Sequence, residues 1–101
     1  MKKIEELFLG RLGRKPDLRY TLKSEPICYL AVAVNNKEND TAIWKRVVVW
    51  GKQAELCSVF LKKGHEVFVQ GHKQQRSYED KEGVKQTIEE VTARLVGFSN
   101  I

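Results

Sequence analysis

The chain has 101 residues, enough for one domain spanning residues 1–101, and 42% of them are hydrophobic, which excludes an intrinsically disordered protein. Its longest unbroken apolar run, Ile27 to Val34, is far shorter than the ~20 residues that cross a bilayer, which excludes a membrane-spanning helix. The net charge of +5 lies entirely in residues 1–52, and such an excess either attracts polyanions such as phosphate backbones or forms a solvated surface.

The order of the predicted elements is that of a small β-barrel. The sequence pattern predicts strands at Ile4–Arg11, Ile27–Asn35, Ala42–Trp50, Glu66–Tyr78 and Val84–Phe98, and one helix at Lys52–Lys63. The second strand is nearly all apolar, so we expect it to be buried on both sides, and Gly10 and Gly13 indicate bends or close backbone approach. Three strands, a helix and two strands predict an all-β OB-fold, a five-stranded Greek-key barrel with its helix between strands three and four.

Turns and ends refine this prediction. Pro16-Asp17 predicts a turn, and Asp80–Gly83 predicts a hairpin loop. The last strand is expected to bend or bulge near Glu89-Glu90. The predicted core-facing stripe of the helix consists of Leu56, Cys57, Phe60 and Leu61, and the helix is expected to end with Lys62, Lys63 and Gly64.

The two cysteines, Cys28 and Cys57, lie in apolar runs without CxxC spacing, so we interpret them as reduced core residues of a reducing compartment. The alternative is a zinc site formed by Cys28, Cys57, His65 and His72. These residues lack the short ligand spacings of structural zinc sites. We therefore predict no metal and no cofactor.

Catalysis has little support in the sequence, which contains no phosphate-binding glycine loop and no nucleophile elbow. Neighbours in a strand face opposite ways, so adjacent acidic pairs do not converge on one site, and we interpret Glu5-Glu6, Glu79-Asp80 and Glu89-Glu90 as solvated charge. Glu5-Glu6 also falls where a signal peptide has its apolar segment. We expect a cytoplasmic protein that is not an enzyme.

Alternation divides the third predicted strand into two sets of side chains. Lys45, Val47 and Val49 point one way, whereas Trp44, Arg46, Val48 and Trp50 point the other way. Two indoles interleaved with a guanidinium suit a platform for unpaired bases, because stacking on an aromatic ring contributes about 1–3 kcal/mol per base. The alternative is that either ring packs inward or against a partner subunit. Arg76 and Tyr78 repeat this pairing on one face of the fourth predicted strand.

Six short motifs also occur together in this sequence. They are GRLGRKPDLRY at 10–20, WKRVVVWGK at 44–52, AEL at 54–56, FLKKG at 60–64, QG at 70–71 and RSYED at 76–80. In this order, from about Leu7 to Phe98, they resemble the bacterial single-stranded DNA-binding protein (SSB) family. The resemblance implies an OB-fold that coats single-stranded DNA without regard to sequence in replication, recombination and repair, usually as a homotetramer.

The resemblance also implies which residues bind DNA. Trp44, Trp50 and Tyr78 match aromatic residues that stack on bases, and Arg46, Lys52 and Arg76 match cations near the DNA path. Arg11, Arg14 and Arg19 match a basic segment of the first strand, and Lys73 completes the predicted set. We expect the protein to be associated with the nucleoid.

Three departures from the family pattern limit these expectations. The loop from Asn35 to Asp40 lacks the aromatic residue that many members carry after their second strand, which affects the expected footprint. Lys45 stands where several tetrameric members carry a histidine, so a dimer and a tetramer both remain open. The chain ends at Ile101 without the acidic tip that recruits repair and replication proteins, so we expect a short member without that recruitment, either tail-less by nature or trimmed to its core.

Two other functions remain open at this stage. One is a primosome-type OB protein, which binds single strands and bridges replication-restart proteins. The other is an interaction scaffold whose aromatic face docks a protein.

Overall fold

The computed structural model describes residues 4–36, 38 and 41–98. This part of the chain contains the strands β1 (Ile4–Leu12), β2 (Asp17–Tyr20), β3 (Pro26–Asn36), β4 (Thr41–Trp50), β5 (Glu66–Glu79) and β6 (Lys85–Phe98), with the helix α1 (Lys52–Phe60) between β4 and β5. The predictions for residues 1–3, for 37, 39 and 40 of the polar loop, and for 99–101 lie outside the described residues. No helix in the described ranges is long and apolar enough to cross a bilayer.

Five of the strands close into a barrel. Their order is β1-β5-β6-β4-β3, and β1 pairs with β3 as well as with β5, which joins the two edges. The β4–β6 pair is parallel, with Val47 opposite Val91, and the other pairings are antiparallel among the described residues. The predicted all-β barrel with one helix is therefore confirmed.

The sixth strand, β2, was missed from the sequence, and the predicted position of the helix is wrong for that reason. Pro16-Asp17 was predicted as a turn, but Asp17 begins a short strand that pairs with β3 from Asp17 opposite Tyr29 to Tyr20 opposite Pro26. The tight turn after it is closed by a hydrogen bond from the Thr21 amide to the Glu25 carbonyl at 2.9 Å. The helix therefore follows the fourth strand.

The core fills the barrel with small branched side chains. Val47 and Val49 are fully buried, as alternation predicts for that face of β4. Strand β3 is buried on one face along its length, where Cys28 and Leu30 point inward, whereas on its other face Ile27 is buried but Tyr29, Ala31 and Ala33 are only partly buried. The expectation that both sides of this strand are buried is therefore wrong, since its other face forms part of the outer surface.

The helix is shorter than predicted. It ends at Phe60, because the backbone of Leu61 is extended (φ −94°, ψ 145°), and Lys62 and Lys63 lie beyond it. The predicted stripe is only half right: Cys57 and Leu61 are buried, but Leu56 and Phe60 are exposed because Ala54 and Cys57 form the side of α1 that packs on the barrel.

The irregularity in the long β5–β6 hairpin lies elsewhere than predicted. Pairing is regular at Glu89-Glu90, and the register shifts between Gln70 and Gly71, which leaves Arg94 as an extra residue on β6. Gly71 is required there, because a Cβ would lie 2.2 Å from the Thr92 carbonyl oxygen.

Two other turn and glycine predictions are confirmed. A Cβ on Gly10 would lie 2.5 Å from the carbonyl oxygen of Ala33, so β1 and β3 approach closely there. Asp80 and Gly83 form the predicted hairpin loop, in which the Asp80 carboxylate accepts hydrogen bonds from the amides of Glu82 and Val84 at 2.9 and 3.0 Å.

Candidate nucleic-acid interface

The outer face of β4 carries the two tryptophans of the chain. Trp44 is 59% exposed and Trp50 is 42% exposed, and the side chain of Arg46 between them is 45% exposed. Alternation predicted this face correctly, and the alternative in which either ring packs into the core is wrong. Val48, which shares the face, is only 4% exposed and forms its floor.

Small residues of β3, and Gly13 in the bend after β1, leave room around Trp44. Ala33 of β3 stands opposite Trp44, and Ala31 stands opposite Arg46. Gly13 lies directly against the indole, since a Cβ there would be 2.2 Å from Cη2 of Trp44. A shallow hollow of about 380 Å³ beside the ring is lined by Gly13, Arg14, Ala31, Trp44, Lys45 and Arg46. One side of the indole is therefore supported by backbone while much of the ring remains open to solvent.

Tyr29, which sequence analysis missed, lies at the centre of the face. The guanidinium carbons of Arg19 and Arg46 lie 5.8 and 5.7 Å from the centroid of its ring. Asp17 accepts a hydrogen bond from Arg19 Nε at 3.1 Å, and this bond raises the pKa of the arginine. Tyr29 belongs to this face because it stands opposite Val48 of β4. The sequence could indicate this only if the β3–β4 register were already known.

Glu90 holds two of the predicted arginines. Its side chain is only 3% exposed, and its Oε2 accepts a hydrogen bond from Arg46 Nε at 3.1 Å. Its Oε1 accepts one from Arg76 Nε, also at 3.1 Å, and this bond raises the pKa of Arg76. The interpretation of the Glu89-Glu90 pair as solvated charge is therefore wrong for Glu90, because β6 places its carboxylate between β4 and β5, beneath both guanidinium groups.

The arginines of three strands and one bend open onto a common hollow. This hollow of about 530 Å³ is lined by Arg14, Asp17, Arg19, Tyr29, Arg46 and Arg76. A second hollow beside it, of about 380 Å³, brings in Trp50. Tyr78, which is 43% exposed, lies two residues beyond Arg76 on the same side of β5. We call the combined surface the aromatic–arginine face; it consists of Arg14, Arg19, Tyr29, Trp44, Arg46, Trp50, Arg76 and Tyr78.

Three predicted cations lie at or beyond its margin. Lys52 is exposed at the first residue of α1, two positions after Trp50. Arg11 donates a hydrogen bond to the Gly64 carbonyl at 3.1 Å and lines neither hollow. Lys73 forms an ion pair of 3.1 Å with Glu89, on the opposite side of the β5–β6 hairpin from Arg76.

The cysteines and histidines play no part in this face. Cys28 and Cys57 are free thiols with no exposed surface, and burial raises their pKa to about 12 and about 11. His65 accepts a hydrogen bond from the Lys62 amide through Nδ1 at 3.1 Å. Within the described ranges, no group of three or more His, Cys, Asp or Glu side chains is placed to hold a metal ion.

Comparison with known proteins gives the family. The profile of the single-strand binding protein family matches residues 5–99. The chain belongs to this family. The resemblance inferred from the six motifs is therefore confirmed, and the barrel is the OB-fold of single-strand binding proteins. The family match does not favour the primosome-type or scaffold alternatives.

Three relatives in the single-strand binding family illustrate the match. Single-stranded DNA-binding protein 1 of Xylella fastidiosa is 38% identical over 95 residues, which cover 85% of this chain and 69% of the relative. Single-stranded DNA-binding protein B of Bacillus subtilis is 36% identical over 97 residues, which cover 91% of this chain and 86% of the relative. The single-stranded DNA-binding protein of Neisseria meningitidis is 33% identical over 104 residues, covering 93% of this chain, which spans 60% of that relative.

Proposed function

We propose that this protein binds and protects single-stranded DNA without regard to base sequence, through the aromatic–arginine face. The observation that carries the proposal is the exposure of Trp44 and Trp50 on one face of β4, with the arginine-lined hollow between them. Membership of the single-strand binding protein family supports it independently.

The spacing of the aromatic residues suits an extended strand. Trp50 lies six positions after Trp44 along β4, which corresponds to about 20 Å at roughly 3.4 Å per residue. A single strand lying along β4 can place one base on each indole and a further base on Tyr78 at the hairpin. One such domain is expected to cover between about 4 and 16 nucleotides.

Charge and stacking have separate roles in this mechanism. Cations at the edge of the face, such as Arg14 and Lys52, draw in the phosphate backbone and release counterions, so affinity for single strands should fall with salt at about −0.7 in slope per phosphate neutralised. The exposed rings then take up unstacked bases. Duplex DNA hides its base faces, so it can use the charges but not the rings, and we expect it to bind weakly.

Tryptophan fluorescence tests the proposal directly, because the chain contains only these two tryptophans. Titration with oligo-dT should quench the emission strongly, and a duplex of equal charge should quench it weakly. Trp44→Ala combined with Trp50→Ala should weaken oligo-dT binding more than either change alone and leave the fold intact. Weak quenching by both nucleic acids would refute the proposal and favour a protein-docking role.

We extend the proposal to the cellular role. The protein acts without catalysis, as a homo-oligomer of two or four subunits, on single strands exposed during replication, recombination and repair in the cytoplasm. An oligomer would let one strand wrap several copies of the face. Light scattering at two concentrations, with and without oligo-dT, distinguishes a dimer from a tetramer, and a mass of one subunit at both would exclude assembly.

A further inference from the structure

The buried carboxylate of Glu90 has no place in the binding mechanism described so far. It is 3% exposed, and it lies under the most basic part of the aromatic–arginine face. A buried anion next to a surface meant for a polyanion opposes the attraction of phosphate. Its Oε2 accepts from Arg46 Nε and its Oε1 from Arg76 Nε, each at 3.1 Å, and Oε2 also accepts a longer bond of 3.5 Å from Arg76 Nη2. The arrangement therefore fixes both guanidinium groups at once.

Arg46 and Arg76 lose much of their net charge to Glu90 but stay exposed to solvent. Their side chains remain 45% and 48% exposed, although both share one negative charge. Arg46 also lies over the Tyr29 ring at 5.7 Å. A guanidinium held by its Nε edge keeps its flat surface free, so a planar group can stack on it. Because its charge is partly balanced by the carboxylate, it attracts a phosphate less strongly.

We propose that Glu90 is a specificity-determining residue that makes Arg46 and Arg76 contact bases and not phosphates. This inference rests on the proposed function, which it deepens. The cations of the face then form two groups. The peripheral ones attract the phosphate backbone of the DNA, and the pair bound to Glu90 stacks on unpaired bases. The pair then contributes to affinity without adding to the salt dependence, and it contributes nothing to a strand that has no bases.

The test compares oligo-dT with an abasic single strand of the same length, which carries the same phosphates and no bases. Glu90→Gln removes the charge and one of the two oxygens that accept from an arginine Nε, because the amide nitrogen of glutamine donates and cannot accept. The freed guanidinium should exchange a base contact for a phosphate contact. The ratio of oligo-dT to abasic affinity should fall about two- to thirtyfold, the range expected for one cation–π type contact.

The salt dependence gives a second readout. Glu90→Gln should steepen the log–log slope on the abasic strand by about 0.7, the increment for one more phosphate. Glu89→Gln is the matched control: it removes the same charge from the adjacent residue, which pairs with Lys73 on the other side of the hairpin. Glu90→Asp, which keeps the charge, should retain the wild-type slope.

The variant Arg76→Lys keeps the test decisive if Glu90→Gln fails to fold. Lysine keeps the charge and lacks the flat guanidinium, so oligo-dT affinity should fall while abasic affinity and slope stay unchanged. Unchanged oligo-dT affinity in Arg76→Lys, or a Glu90→Gln variant that behaves like Glu89→Gln, would overturn the inference. A wild-type protein that does not bind oligo-dT would instead refute the proposed function.

Discussion

The support of Trp44 by Gly13 gives the most direct prediction from the structure. Gly13→Ala would place a methyl carbon 2.2 Å from Cη2 and 2.3 Å from Cζ3 of the indole. Carbon atoms in contact lie about 3.5–4.0 Å apart, so one of the two groups must shift by more than about 1 Å. The Gly13 amide donates to the Ala31 carbonyl at 2.9 Å, which holds the backbone in place. The exposed end of the tryptophan therefore moves.

We expect Gly13→Ala to weaken oligo-dT binding and to leave the stability of the fold nearly unchanged. Complete loss of one stacked base corresponds to about 1–3 kcal/mol, or roughly 5- to 150-fold in affinity. A displaced ring keeps part of its stacking, so Gly13→Ala should weaken oligo-dT binding by less than Trp44→Ala does. Because Trp44 is 59% exposed, the ring can swing toward solvent without opening the core.

Two variants isolate the effect. Gly97→Ala is the control, because its Cβ would lie 3.8 Å from the nearest atoms, those of Phe68, which is an ordinary contact. In a Trp50→Phe background, Trp44 is the only indole, so its emission maximum reports its surroundings. Gly13→Ala should change that maximum and Gly97→Ala should not.

A double-mutant cycle decides the cause. In a Trp44→Ala background, Gly13→Ala should have no further effect on oligo-dT affinity, because the two changes act through one ring. If Gly13→Ala weakens binding equally in both backgrounds, or leaves emission and affinity as in wild type, the assigned role of Gly13 is wrong.

Three further predictions concern the barrel, the hairpin loop and the thiols. Val49→Ala, at a fully buried position, should lower the free energy of unfolding by about 2–3 kcal/mol in urea titration. The hydrogen bond from the Val84 amide holds the pKa of Asp80 below its usual 3.8. The carboxylate therefore stabilises the loop above that pH and loses this contribution as the pH falls. Amide exchange at Val84 should accelerate in acid, and Asp80→Ala should abolish the pH dependence. Cys28 and Cys57, whose pKa values are raised by burial to about 12 and about 11, should react with a thiol reagent at pH 8 only after unfolding, and rapid labelling of the native protein would contradict this.

The sequence predicts those features of the interface that depend on a single strand, such as the direction in which each side chain of β4 points. Alternation along β4 needs no knowledge of its neighbours, so the outward direction of Trp44 and Trp50 followed from the sequence alone. Gly10 and Gly13 were also predictable, because a glycine in or next to a strand indicates a bend or close approach whatever the partner is. Tyr29 could not be assigned, since its membership of the same face depends on the β3–β4 register.

The errors have a shared physical origin. Glu90 was interpreted as solvated because adjacent residues of a strand face opposite ways, so that it and Glu89 do not converge on one site, whereas its environment comes from Arg46 and Arg76 on two other strands. The helix prediction failed at Leu56 for the converse reason: an apolar side chain was taken as core, although α1 buries only a narrow stripe. Local patterns gave the directions of side chains along one element, and they did not give the partners that other elements supply.

The number of cations overstates how much charge this surface has available for phosphates. Of the seven cations predicted to bind DNA, four are held in ion pairs by three carboxylates: Arg19, Arg46, Lys73 and Arg76. A fifth, Arg11, donates to a backbone carbonyl, and of these seven described cations only Arg14 and Lys52 have no side-chain ion pair or hydrogen bond. The excess charge available to phosphates is therefore much smaller than the count suggests. A face with so few free charges and several exposed rings must obtain much of its affinity from stacking, so the tryptophans of β4, and not the net charge of +5, carry the functional assignment.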